Sequence, residues 1–202
     1  MRTAGELFWR QGYAQTGVSS IMKRARATSG SFYHFFPTKE DLLVAVIDTV
    51  ADKLESEVLA PAEEASSDAA ERIGIVTGAY LRSVEAGPAD FGLPLGSLVR
   101  ELGSDHEAAR RRIDALMENL TARIAGWLAE DGDRFDRPEL ATLVVAVLEG
   151  AAVMATARRS RAPLDACAAQ LRTHLSLIAG EGGASMRPPK PTAGEAGDWK
   201  AW

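Results

Sequence analysis

The stretch that most constrains this chain is Ala25–Leu43, ARATSGSFYHFFPTKEDLL. Thr28 is placed to cap a helix, because its hydroxyl can accept one of the free N–H groups that open it. The helix it predicts, Ser29–Phe35, is short. Pro37 ends it by forcing the residue before it out of helical geometry. Thr38 then caps a second helix, with Glu40 and Asp41 favourably placed against its positive end. The short helix begins with small polar residues (Ser29, Gly30, Ser31) and continues into an aromatic block (Phe32, Tyr33, Phe35, Phe36). A slim, hydrogen-bonding tip on an aromatic base suits insertion into the DNA major groove. The tip can reach base edges while the aromatics anchor the other side in a core.

The charge distribution agrees with that reading. The chain is 202 residues long, 46% hydrophobic and 25% charged, as expected of an ordinary globular protein, and carries a net −5. Residues 1–39 nevertheless hold Arg2, Arg10, Lys23, Arg24, Arg26 and Lys39 against Glu6 alone, a balance of +5. The remainder holds 17 Lys/Arg against 27 Asp/Glu, a balance of −10. A basic head on an acidic body is the layout of a nucleic-acid module joined to a separate partner or ligand module. Cys167 is the single cysteine, so no intramolecular disulfide and no metal site are expected. His34, His106 and His174 lie too far apart for a triad or a ligand set, which weighs against an enzyme. No catalytic residue and no cofactor are expected. Arg2, Glu6 and Arg10 interrupt any apolar core near the N-terminus, so no signal peptide is read and the cytoplasm is the expected location.

The same residues carry a resemblance. Gly30, Phe32, Tyr33, Phe36, Lys39, Glu40, Leu42 and Leu43 resemble the recognition-helix signature of TetR-type transcriptional repressors. Leu7, Phe8, Gly12, Tyr13, Thr16, Val18 and Ile21 fit that family's first two helices. The resemblance covers about residues 3–48 by motif and the rest by architecture. It implies an operator-binding homodimer released by a small-molecule effector. With the reading of the tip, it assigns DNA contacts to Thr16, Gly17, Thr28, Ser29, Gly30, Ser31, Tyr33, His34 and Lys39, with bases or backbone met by the serines, Gly30 and His34 and phosphates by Thr28, Tyr33 and Lys39. Three positions depart from the pattern. Gly17 stands where a phosphate-binding Ser or Thr is usual, and Ser29 where a lysine is often found. Arg26 replaces a turn glycine, and must either take a positive φ or alter the turn. Family chains also usually carry a further turn or a basic arm before the first helix, so either the start is truncated or the arm is absent.

The remaining chain reads as all-α, with about nine helices in total and no strand-like alternation. Residues 1–48 form a three-helix head and 49–179 a ligand-binding and dimerisation body. Residues 180–202, rich in Gly, Pro and Ala and ending in Trp199 and Trp202, are expected to be a disordered tail. The helix from Thr38 is expected to run to about Leu59 and break over Pro61 and the Glu63–Asp68 stretch, with further helices over 69–86, 95–102, from an Asp105 cap, over 139–158 and from Pro163 to Ile178. Residues 139–158 are apolar nearly all round, but Glu149, Glu139 and Arg158–Arg159 argue against a membrane span. A helix buried on two faces fits better, one face for the core and one for a second subunit. Together with the last helix it looks like the family's four-helix dimer interface, with Val147, Ala151, Ala155, Leu171, Leu175 and Ile178 as contacts. Burial inside a monomer is the alternative.

Large or soft apolar side chains, Tyr80, Val84, Phe91, Leu98, Met117, Leu120, Trp127 and Met154, are candidates to line an effector cavity. Core packing alone explains each of them and is the better account of any single one; the cavity itself is what the resemblance implies. In the Gly92–Gly96 connector, Leu93 stands where one branch of the family often has a cysteine, so redox sensing there is not available. The rival from another class is a helical protein-binding or architectural dimer whose head no longer binds DNA specifically. Gly17, Arg26 and the missing arm favour it.

Overall fold

The computed structural model describes residues 1–86, 95–103, 105–130 and 137–180. The expected tail, the position of Phe91 and the Leu93 loop lie outside the described residues. Within them the chain is all-α, in the order α1 (Arg2–Gln11), α2 (Val18–Ala25), α3 (Ser29–Phe35), α4 (Lys39–Leu54), a π-helical turn (Glu55–Leu59), α5 (Ala60–Ala65), α6 (Ala69–Ala86), α7 (Gly96–Val99), α8 (Glu107–Glu130), α9 (Arg137–Arg158) and α10 (Ala162–Gly180). The described residues thus contain one more α-helical segment than expected, because the π turn divides the helix that follows the head.

That division has a local cause. Pro61 lacks an N–H and its ring collides with the carbonyl four residues back in a regular helix. The wider turn just before it, in which the Ala60 N–H reaches the Glu55 carbonyl, lets the helix continue through the proline. The helix therefore runs through Pro61 and ends at Ser66, within the expected Glu63–Asp68 break. A second expectation also changes. The N–H of Ala109 in the first turn of α8 is satisfied by the carboxylate of Glu40 at 3.0 Å, not by Asp105.

One hydrophobic core runs through head and body. Ala4, Leu7 and Phe8 of α1, Ile21 of α2 and Phe32 of α3 close on Leu42, Leu43, Val46 and Ile47 of α4. The same helix continues into the body with Val50 and Leu54, which share the core with α6, α8 and α9. The head's limit at residue 48, where the motif resemblance ends, falls inside α4, so the two halves share a helix. The capping box at its start holds its first turn firmly: the Asp41 N–H donates to Thr38 Oγ1 at 3.1 Å, and the Thr38 N–H donates to Asp41 Oδ2 at 2.9 Å.

Candidate nucleic-acid interface and its link to the body

The tip of α3 is built as its composition suggests. Thr28 Oγ1 accepts the Ser31 N–H at 3.3 Å, which leaves its own proton free to donate outward. Ser29, Gly30, Ser31 and His34 are all exposed, while Phe32 is buried and Phe36 half-buried. A Cβ added at Gly30 would meet nothing within 4 Å, so the glycine is not required by the protomer itself. Arg26 takes φ 55° and ψ 36°, the left-handed conformation of a turn glycine. The Ala27 N–H closes the turn on the Met22 carbonyl at 3.0 Å. The helix-turn-helix geometry thus survives the substitution at a cost in backbone strain.

Two expectations for the head are corrected. Thr16 is fully buried and donates its hydroxyl to the Gly12 carbonyl at 2.7 Å, so it braces the α1–α2 turn and offers nothing to a phosphate. Phe35, read as part of the core-anchoring block, is 68% exposed. Gly17 and Tyr33 are exposed as a contact requires. Gly17 caps α2 with no side-chain hydrogen bond.

Lys39, the first residue of α4, lies at the junction of head and body. Its Nζ sits 4.1 Å from the centre of the buried Tyr13 ring, a cation–π contact. Burial lowers the Lys39 pKa, and the Glu101 charge opposes that shift. Burial, then the carboxylates of Glu40 and Asp105, push the Tyr13 hydroxyl up to about 12. These side chains, with Ala14, Thr38 and His106, line a groove of about 500 Å³ between head and body. Glu101 crosses it and accepts the Ala14 N–H at 3.3 Å. Gly12 makes room for this, since it has φ 85° and a Cβ there would meet Glu101 Oε2 at 2.6 Å.

Beyond the groove, α4 is fastened to α8 by polar straps. Glu40 holds the Ala109 N–H, and Asp48 pairs with Arg112. At the π turn, Glu55 accepts from Arg123 Nη2 at 2.6 Å, and Glu63 accepts from Arg123 Nη1 at 2.9 Å and from Trp127 Nε1 at 2.8 Å. The Trp127 hydrogen bond holds the Glu63 carboxyl below its ordinary pKa; burial opposes that shift, and Arg123 adds to it.

The candidate cavity residues do not all come together. Tyr80, Leu98, Leu120 and Trp127 are buried, and Val84 and Met117 are half-buried against the same core. Met154 is 44% exposed on the outside of α9 and is removed from that set. Glu149 turns inward, accepting the Tyr80 hydroxyl at 2.8 Å, the Gly96 N–H at 2.8 Å and the Leu95 N–H at 3.2 Å. Burial, and then Glu149, hold the Tyr80 pKa well above its ordinary value.

The expected contact face of α9 and α10 is also redrawn. Ala151, Ala155, Leu171 and Leu175 are buried within the protomer, Val147 is half-buried, and the side chain of Ile178 lies outside the described residues. The apolar residues left outside are Leu143, Val153, Met154 and Leu177, with Ala146, Gly150 and Ala157 on the same side of α9. A continuously apolar helix permits either row to be the inner one, and in the protomer the row with Ala151 and Ala155 is inner. Pro138–Arg158 has the length and hydropathy of a membrane span, but 44% of its apolar window is buried in the fold.

Comparison with known proteins gives one answer along the chain. Residues 1–46 match bacterial regulatory proteins of the tetR family, and residues 69–170 match the C-terminal domain of LmrA/YxaF-like transcriptional regulators. The uncharacterized HTH-type transcriptional regulator YxaF of Bacillus subtilis is 29% identical over 173 residues, 85% of this chain and 90% of that protein. The HTH-type transcriptional regulator LmrA of the same organism is 28% identical over 170 residues, 81% and 88% of the two chains. A crystal structure of a TetR transcriptional regulator from Chloroflexus aurantiacus superposes with a TM-score of 0.74 at 24% identity, covering 87% of this chain and 91% of that one. These relatives are transcriptional regulators, not enzymes. With the exposed tip of α3, the basic head and both halves of the chain matched, the protein belongs to the TetR family of DNA-binding transcriptional regulators.

Proposed function

We propose that this chain is a repressor that binds a palindromic operator as a homodimer and is released by a small, largely apolar effector. The observation that carries the reading is where its exposed large apolar side chains fall. Apart from Met1, those among the described residues lie either on α3 (Tyr33, Phe35) or on the outer rows of α9 and α10 (Leu143, Val153, Met154, Leu177). The first patch belongs to the DNA tip and the second suits a second copy of the chain. Packing two copies through α9 and α10 would set two α3 helices to read half-sites about 34–36 Å apart. Its place of work would be the cytoplasm, with the operator.

The effector would bind among α6, α8 and α9, around Tyr80, Val84, Leu98, Met117, Leu120 and Trp127. Ser83 lies one turn from Tyr80, and its buried hydroxyl has no hydrogen-bond partner among the described residues. It and the Tyr80–Glu149 pair are polar handles in otherwise apolar surroundings. An effector that prefers a displaced α8 would carry α4 with it through the Glu40, Asp48 and Glu55 straps. The population would then shift away from the DNA-binding spacing. The retained turn at Arg26 supports a working head over an architectural dimer.

The test is sedimentation together with titration of the DNA upstream of the chain's own gene at several salt concentrations. A dimer at micromolar concentration and a steep salt dependence are expected. A monomer, or binding insensitive to salt, refutes the proposal.

A further inference from the structure

We infer that Phe35 reads DNA sequence, by packing its ring on the 5-methyl group of a thymine in the major groove. The inference rests on the DNA-binding reading of α3. Phe35 is 68% exposed, more than any other large apolar side chain among the described residues. Single exposed apolar residues are common and need no explanation. This one lies on the recognition helix, beside Tyr33 at 53% exposure, in a head of net positive charge.

Its place on the helix brings it to base edges. Ser31 and Phe35 are four residues apart and form one ridge, so Phe35 continues the row that begins at the polar tip. Phe35 lies four residues past Ser31, about 6 Å along the helix axis, so its ring stays within reach of a groove that takes the tip. The ring is partly oriented before binding, edge-on to His34 at 5.0 Å and tilted against Phe36 at 6.5 Å.

Chemistry selects the target. A phenyl ring has no donor for a phosphate oxygen, and covering a charged oxygen with it would cost hydration. The major-groove edges of the base pairs offer donors, acceptors and one apolar group, the thymine 5-methyl. Burying that methyl against the ring gains both partners apolar contact.

The experiment begins with selection of binding sites from a random duplex pool by the full-length chain. Each thymine of the recovered site is then replaced by deoxyuridine, which lacks only the methyl. Affinities are measured for the wild type, Phe35→Ala and Phe35→Leu at one salt concentration. One thymine per half-site should show about a fourfold loss on replacement with wild type, the value of one methyl-sized burial. Phe35→Ala should bind the thymine and deoxyuridine sites equally, and Phe35→Leu should retain part of the difference. Since the side chain is exposed, far-UV melting of Phe35→Ala should match the wild type. A deoxyuridine penalty that persists in Phe35→Ala, or no thymine that responds, overturns the inference while leaving DNA binding intact. A wild-type chain that recovers no sequence overturns both.

Discussion

The carboxylate of Glu40, in the first turn of α4, accepts the backbone N–H of Ala109, in the first turn of α8, at 3.0 Å. One side chain thereby belongs to the start of two helices. It lies near the positive end of its own helix and satisfies a free donor at the positive end of another. The reverse contact comes from Glu101, which accepts the Ala14 N–H of the head at 3.3 Å. Head and body are thus joined by a carboxylate from each side, with Lys39 and Tyr13 between them.

Glu40→Ala removes the cap of α8 and should destabilise the chain by about 1 kcal/mol, as loss of an N-cap does elsewhere. Glu40→Gln keeps an acceptor oxygen but loses the charge, so its loss should be smaller. Urea denaturation of both variants checks the order. Equal losses would mean that the charge near the two helix ends matters and the Ala109 hydrogen bond does not.

Arg26→Gly should stabilise the chain by about 1 kcal/mol, because glycine occupies the left-handed conformation without the Cβ penalty. The φ of 55° is the warrant. Urea midpoints at unchanged m-value would show it. A destabilised variant would mean that the Arg26 side chain supports the fold in a way the turn geometry does not reveal.

The head was legible in the sequence because its rules are local. Thr28, Thr38 and Asp41 cap within three residues of themselves, and Pro37 acts on its neighbour. At Arg26 the missing glycine left two outcomes, a positive φ or an altered turn, and the chain takes the first. What could not be read depends on residues far apart in the chain. Nothing near Glu55, Glu63 or Arg123 says that they meet, and the Glu149 cluster joins residues separated by more than fifty positions. On α9 the sequence is apolar on every side, so helical spacing cannot tell the row facing the core from the row facing outward. Thr16 was misread for a different reason: a hydroxyl beside a turn can serve either solvent or a carbonyl, and here two carbonyls, of Leu7 and Gly12, take it.

Lys39→Ala should weaken binding to all DNA sequences alike and reduce the salt slope by about one unit per half-site. In the unbound chain this lysine rests on Tyr13, 4.1 Å from the ring centre, so the loss should be accompanied by a small loss of stability. Salt titrations of the two proteins on one duplex measure the slope. An unchanged slope would leave Lys39 with its role in the junction alone.

On the outer face, Met154→Glu or Leu177→Glu should give a folded, soluble monomer with weakened operator binding. Ala151→Glu and Ala155→Glu place a charge inside the protomer core, and should instead unfold it. Sedimentation with far-UV dichroism separates the two outcomes. A dimer that persists in a Met154→Glu, Leu177→Glu double variant would place the subunit contact elsewhere.

The Trp127–Glu63 contact makes an acid-sensitive reporter at the strap between α5 and α8. Hydrogen bonding from Trp127, and to a lesser degree from Arg123, holds the Glu63 carboxyl below its ordinary value of 4.5 in the folded chain. A depressed carboxylate contributes stability that is fully present above the unfolded pKa and is lost as pH falls through the folded one. The strap should therefore weaken only below about pH 4.5, and not between there and neutrality. Trp127 emission, read in a variant lacking Trp9, Trp199 and Trp202, should be flat down to that point and then change as Nε1 loses a charged acceptor. In Glu63→Gln the amide oxygen still accepts the indole N–H but does not titrate, so the acid step should vanish and emission should follow global unfolding alone. Far-UV dichroism on the same samples marks that unfolding. An acid step that survives in Glu63→Gln would show that the Glu63–Trp127 contact is not its source.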